Sequence, residues 1–138
     1  MQVLYTATAT ATGDGRNGHT ASDDGILDVD VRVPKEMGGA GGATNPEQLF
    51  AAGYAACFHS ALKVVAGKDT ASVEGSEVSA SVGIGMLDAG GFGLAVELDV
   101  SLPALDGPAA ETLVARAHEV CPYSNATRGN IDVTLRVV

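Results

Sequence analysis

The residues best able to do chemistry in this chain are its two cysteines, Cys57 and Cys121, set 64 positions apart. A cysteine attacks as its thiolate, so the surroundings of each one decide its use. Cys57 stands among Tyr54, Ala56, Phe58 and Ala61, and an apolar setting disfavours the charged form. Most free cysteines so placed are small buried hydrophobes. A reactive Cys57 would need a cation brought to it. Eight basic residues are available, Arg16, Arg32, Lys35, Lys63, Lys68, Arg116, Arg128 and Arg136, and composition does not choose among them. Cys121 precedes Pro122, a break at which a short helix can start. As the N-cap of that helix it would lie near positive partial charge and ionise more readily. The other reading is a cysteine that closes the preceding helix.

Other chemistries find less support. Zinc would draw on His59 near Cys57 and His118 near Cys121, but residues two apart on a helix point roughly 200° apart. No C-x-x-C pair is present, so a four-ligand site is disfavoured. The histidines are expected to make surface or satisfied buried hydrogen bonds. The glycine run Gly38–Gly42 precedes a helix without the Gly-Lys-Ser/Thr that holds nucleotide phosphates. Gly83-Ile84-Gly85 is followed by Asp88 where a dinucleotide fingerprint needs its third glycine. The G-x-S-x-G of a hydrolase elbow is also missing.

The elements that must position the cysteines are legible from periodicity. Val3–Thr12 alternates as a half-buried strand, and Leu27–Val33 reads as its hairpin partner, with Arg16 on the connection. A long helix is predicted from Pro46 to about Ala66, with Asn45 as N-cap and Gln48 at N3. Leu49, Phe50, Tyr54, Phe58, Leu62, Val64 and Val65 cover most of its circumference, which predicts a largely buried central helix. Strands are expected near Val73–Met86, Phe92–Leu102 and Ile131–Val137, with a second helix from Pro108 to about Val120. The order ββ-α-ββ-α-β fits an α+β domain of antiparallel sheets around a buried helix.

Composition bounds the rest. The 138 residues suit one domain, large enough to fold without a disulfide or metal for bulk stability. A net charge of −9 argues against nucleic acid, and 46% apolar residues argue against disorder. No apolar run approaches the ~20 residues that span a bilayer, and Met1-Gln2-Val3-Leu4-Tyr5 lacks the basic and apolar regions of a signal peptide. A cytoplasmic protein without a membrane partner is expected. Two cysteines there make a poor disulfide framework and a better redox or catalytic pair.

Three segments together resemble the organic hydroperoxide resistance (Ohr) branch of the Ohr/OsmC family. They are Tyr5-Thr-Ala-Thr-Ala-Thr-Ala-Thr12, Asn45-Pro-Glu-Gln-Leu-Phe-Ala-Ala-Gly-Tyr54 running into Ala56-Cys57-Phe58, and Cys121-Pro-Tyr-Ser-Asn-Ala-Thr-Arg-Gly-Asn130. The third is the most specific, and the similarity extends over essentially the whole chain. The resemblance implies a thiol-dependent peroxidase that reduces organic hydroperoxides to alcohols, with no tightly bound cofactor. By position Cys57 matches the peroxidatic cysteine and Cys121 the resolving one. Arg16 matches the arginine that stabilises the thiolate and Glu47 the carboxylate that holds it, although the loop Gly13–His19 is one residue longer than the usual family spacing. The resemblance also implies dihydrolipoyl groups, as dihydrolipoamide or on lipoylated proteins, as the reductant. The apolar neighbours Phe50, Tyr54 and Phe58 favour bulky alkyl or lipid hydroperoxides.

Glu47 and Cys57 are ten residues apart, about 15 Å along a helix. A Glu47–Arg16 pair touching Cys57 is then awkward within one chain. Two such helices crossing antiparallel would bring them together, so an intertwined two-fold homodimer is predicted. The rival readings are a non-enzymatic thiol redox sensor or binding module using the same cysteines, and a structural domain in which they are inert.

Overall fold

A computed structural model describes all 138 residues, which fall into two compact units, Met1–Leu49 and Phe50–Val138. The first unit holds β1 (Ala9–Thr12), β2 (His19–Ser22) and β3 (Asp28–Asp30) in one antiparallel sheet of that order. Arg16 sits on a single 3-10 turn, Gly15–Asn17, between β1 and β2. Gly18 closes this connection. A Cβ there would lie 2.1 Å from the Thr12 carbonyl oxygen, so only glycine fits.

The expected Val3–Thr12/Leu27–Val33 hairpin is corrected in this unit. The first strand pairs instead with His19–Ser22, register Thr12↔His19, and Leu27–Val33 keeps only three strand residues, paired to β2. His19-Thr20-Ala21-Ser22 has no apolar alternation to announce it. Its backbone ladder and its imidazole hold it in place: His19 Nε2 lies 2.7 Å from Asp28 and Nδ1 2.9 Å from Asp30.

Helix α1 runs Pro46–Asp69, about 36 Å at the standard rise, and continues past Gly67. Asn45 caps it as expected, its Oδ1 accepting from the Gln48 N–H at 2.9 Å. The side chain of Gln48, at N3, accepts from the Thr44 hydroxyl at 2.9 Å instead of reaching back to the Asn45 N–H as in a capping box. The helix ends where Thr70 turns left-handed at φ 53° and the Ala71 N–H donates back to the Ala66 carbonyl at 3.0 Å.

In the second unit β4 (Glu77–Met86) and β5 (Phe92–Ser101) form a long antiparallel hairpin. Next in the chain come α2 (Gly107–Val120), α3 (Pro122–Thr127) and β6 (Val133–Val137). The sheet order is β4-β5-β6, and β6 lies parallel to β5. The expectation of purely antiparallel sheets is therefore corrected for this strand. After β5, helices α2 and α3 bring the chain back to the start of the sheet, and a crossover of that kind delivers a parallel strand.

Tyr54, Phe58, Leu62 and Val65 of α1 pack with Val96, Leu98 and Val100 of β5 and Leu113, Val114 and Ala117 of α2 in one core. The spacing 54, 58, 61/62, 65/66 is one helical stripe. A largely buried helix is thus corrected to a helix buried along one side, since Val64 is exposed. By length and composition alone α1 could cross a membrane, contrary to the sequence expectation; its best 18-residue window has a mean hydropathy of 1.4 and is 33% buried inside the protein. Its Tyr54, Phe58, Leu62 and Val65 belong to the core.

Candidate active site

Cys121 occupies the joint between two helices. It ends α2, where its N–H donates to the Ala117 carbonyl at 2.9 Å, and it is also the N-cap of α3, where its carbonyl accepts from the Asn125 N–H at 2.9 Å. Pro122 has no N–H to offer α2 and suits the first position of a new helix. Cys121 thus both closes α2 and stands at the N-cap of α3.

Cys121 is fully buried, Cys57 on α1 is half-buried, and both are free thiols. The Cys121 thiol donates to Cys57 Sγ across 3.8 Å. A disulfide needs a separation of about 2.05 Å, so closure requires the sulfurs to approach by roughly 1.8 Å. Burial pushes the Cys57 thiol above its ordinary range, the Tyr123 backbone N–H pulls it back, and Cys121 raises it further. Within its own unit Cys57 has a donor but no cation among the groups acting on its pKa.

Arg16 and Glu47 are joined in the first unit. The guanidinium donates two parallel hydrogen bonds to the carboxylate, at 2.7 and 2.9 Å, the bidentate geometry that makes such pairs strong. Glu47 lies in the first turn of α1, where the helix N-terminus favours negative charge. The Arg16 bond holds the Glu47 carboxyl below its ordinary range, and Glu47 raises the already high pKa of Arg16. Of the four sequence-predicted residues, the structure therefore brings Arg16 to Glu47 and Cys57 to Cys121.

Tyr123, Ser124 and Thr127 near Cys57 were given no role by sequence. The Tyr123 ring lies against Gly53, where a Cβ would come within 2.8 Å of its hydroxyl. Phe50, Tyr54 and Tyr123 form an aromatic cluster with centroids 5.5–6.0 Å apart. The hydroxyl of fully buried Tyr54 meets Ser124 Oγ at 2.9 Å and Thr127 Oγ1 at 3.1 Å. Tyr54 reads as a core aromatic by its helical spacing; a buried phenol requires a polar partner, and that requirement was the available signal. A cavity of about 680 Å³ opens beside this cluster, lined by Phe50, Phe92, Leu94, Tyr123 and Ile131 among others. Of the three apolar neighbours read as favouring bulky substrates, only Phe50 lines it; Tyr54 and Phe58 are wholly buried in the core.

The histidines behave unequally. His59 Nε2 shares a 2.9 Å hydrogen bond with Ser76, and His19 is held by its two aspartates. His118 corrects the expectation of satisfied histidines, because its Nδ1 is buried without a partner. Burial, followed by the nearby Arg128 charge, lowers its pKa.

Comparison with known proteins bears on the whole chain. Residues 38–136 match the family of the OsmC-like protein. The organic hydroperoxide resistance protein of Xanthomonas axonopodis pv. citri (strain 306) is 59% identical over 136 residues, covering 97% of this chain and 94% of that protein. A crystal structure of an organic hydroperoxide resistance protein from Elizabethkingia anophelis superposes with a TM-score of 0.94 at 54% identity, covering 99% of this chain and 98% of that one. The crystal structure of OhrB of Bacillus subtilis gives 0.90 at 48% identity, covering 99% of this chain and all of that one. With a fold and a sequence both shared at this level, the chain belongs to the OsmC-like family, in its organic hydroperoxide resistance branch.

Proposed function

We propose that the protein is a cysteine peroxidase that reduces organic hydroperoxides, alkyl and fatty-acid, to alcohols. The observation that carries this reading is the 3.8 Å separation of two free sulfurs at a helix joint. Resistance to organic hydroperoxides is what its relatives are named for. In the proposed cycle the Cys57 thiolate attacks the outer oxygen of R–O–O–H. The O–O bond breaks, RO⁻ takes a proton and leaves as alcohol, and Cys57 becomes a sulfenic acid. The Cys121 thiol then displaces the hydroxyl, forming the Cys57–Cys121 disulfide and releasing water. Two thiols of a dihydrolipoyl group, free or on a lipoylated protein, return the disulfide to dithiol and close as lipoyl disulfide.

Arg16 has the role of supplying positive charge to the thiolate, with Glu47 orienting its planar guanidinium. The ten-residue spacing of Glu47 and Cys57 on α1 supports a homodimer in which two α1 helices cross antiparallel. The small residues Ala51, Ala52, Gly53, Ala55 and Ala56 allow a close approach. Exposed Val3, Leu4, Tyr5, Met86 and Phe92 offer apolar surface for a second copy to cover. The proposed setting is the cytoplasm, where lipoylated proteins and reduced thiols occur together.

The test is intact mass after stoichiometric tert-butyl hydroperoxide, followed by turnover with dihydrolipoamide. A Cys57–Cys121 disulfide and sustained turnover are expected. Failure to form the disulfide overturns the enzyme reading, and a disulfide without turnover favours the redox sensor. Cys57→Ser should abolish peroxide consumption. Cys121→Ser should accumulate sulfenic and then sulfinic acid. A fully active monomer in light scattering at micromolar concentration removes the dimer.

A further inference from the structure

Helix α3 has only six residues, far short of what is stable alone, yet it begins immediately after the cysteine that must move toward Cys57. Its seat on α1 must therefore come from tertiary contacts, and two are present. Ser124 Oγ and Thr127 Oγ1, both buried, converge on the hydroxyl of Tyr54. The Tyr123 ring packs on Gly53, one residue before Tyr54. Thr127 Oγ1 has other acceptors, the carbonyls of Tyr123 and Ser124 at 3.0 and 3.2 Å, whereas Ser124 Oγ bonds to Tyr54 alone. The Tyr54–Ser124 bond, three residues from Cys121 and three from Cys57, is thus the specific tie between the two cysteine-bearing segments.

We propose that Tyr54, through Ser124 and Thr127, is a positioning residue that keeps Cys121 within reach of Cys57 and so decides the fate of oxidised Cys57. Two reactions compete for the sulfenic acid. In one, Cys57–SOH and Cys121–SH give the disulfide and water. In the other, Cys57–SOH and a second hydroperoxide give sulfinic acid and alcohol, an outcome a dithiol does not reverse. The first is unimolecular and depends on how often α3 holds Cys121 at contact; the second depends only on peroxide. This inference rests on the peroxidase reading for the competition, but the positioning of Cys121 stands independently of it.

The experiment treats full-length protein with graded tert-butyl hydroperoxide and measures sulfinic acid against disulfide at Cys57 by intact and peptide mass. In Tyr54→Phe, which keeps the ring, the sulfinic-to-disulfide ratio should rise about fivefold, the equilibrium weight of one net hydrogen bond. Ser124→Ala should move the ratio in the same direction. Val65→Ala, a buried change on α1 about three turns away, should leave it at the wild-type value and so separates positioning from general loosening. A parallel arm drives closure with diamide, which needs no peroxidase activity, and Tyr54→Phe should slow it by a similar factor. If hydroperoxide fails to oxidise the wild type, the peroxidase reading falls while the diamide arm still decides the positioning role. Wild-type partition and wild-type diamide closure in both Tyr54→Phe and Ser124→Ala, or an equal rise in Val65→Ala, overturn the proposal.

Discussion

Replacing Tyr54 with phenylalanine removes one oxygen and almost no volume from the buried contact between α1 and α3, so its cost is a hydrogen-bonding cost. The two acceptor-donor groups left behind fare differently. Thr127 Oγ1 retains two backbone carbonyls within 3.2 Å, but Ser124 Oγ loses its one protein partner in a fully buried position. An orphaned buried hydroxyl costs about 1–3 kcal/mol, and Tyr54→Phe should destabilise by that amount. Ser124→Ala alone leaves the Tyr54 hydroxyl bonded to Thr127, and should cost about 1 kcal/mol. In the double variant no hydroxyl is orphaned, because both partners of the Tyr54–Ser124 bond are gone. The double variant should therefore be less destabilised than the sum of the singles by about 1–2 kcal/mol, the coupling of a direct pair. Urea unfolding at one fixed protomer concentration reads this, since any assembly would shift the midpoint by mass action. Strict additivity within about 0.5 kcal/mol would refute the reasoning, and with it the premise that this bond ties the two helices.

Two further outcomes concern the titratable groups. Glu47 has a depressed folded pKa, chiefly from the Arg16 bond, so the pair contributes stability above the ordinary carboxylate range and loses it as pH falls through the lowered value. Arg16 is 38% exposed and Glu47 12%, so solvent screening limits the contribution to about 1 kcal/mol. Glu47→Gln should lower stability by that much at neutral pH and match the wild type once the pH has fallen below the lowered Glu47 value; a difference that persists after Glu47 is protonated would contradict the assignment. His19 has a raised pKa, first from its bond to Asp30, and His118 a lowered one, first from burial. In an NMR titration His118 should therefore deprotonate at lower pH than His19. The His19 contribution is present below the ordinary imidazole range and is lost as pH rises through the folded value, so protection of the β2–β3 amides should weaken on that alkaline side. The reverse order of titration would remove this account of how β2 is held.

The long helix, its Asn45 cap and the break at Cys121-Pro122 were legible in the sequence, because capping and proline chemistry act over a few residues. The β4–β5 hairpin was legible as well, since a glycine turn and a period of two are also local signals. The family was legible from three short segments that resemble it. The pairings did not follow. β2 has no apolar alternation, and its ladder partners and the His19 clamp exist only once Asp28 and Asp30 arrive from another strand. The parallel direction of β6 depends on where two helices deliver the chain, which periodicity does not encode. Composition made Cys57 and Cys121 worth attention and left each with two readings. Tertiary structure decided that their sulfurs lie 3.8 Å apart and that a tyrosine hydroxyl, invisible among core spacings, bonds to Ser124 three residues beyond the second. Local signals select elements residue by residue, whereas a contact across 64 residues is set by how the core packs.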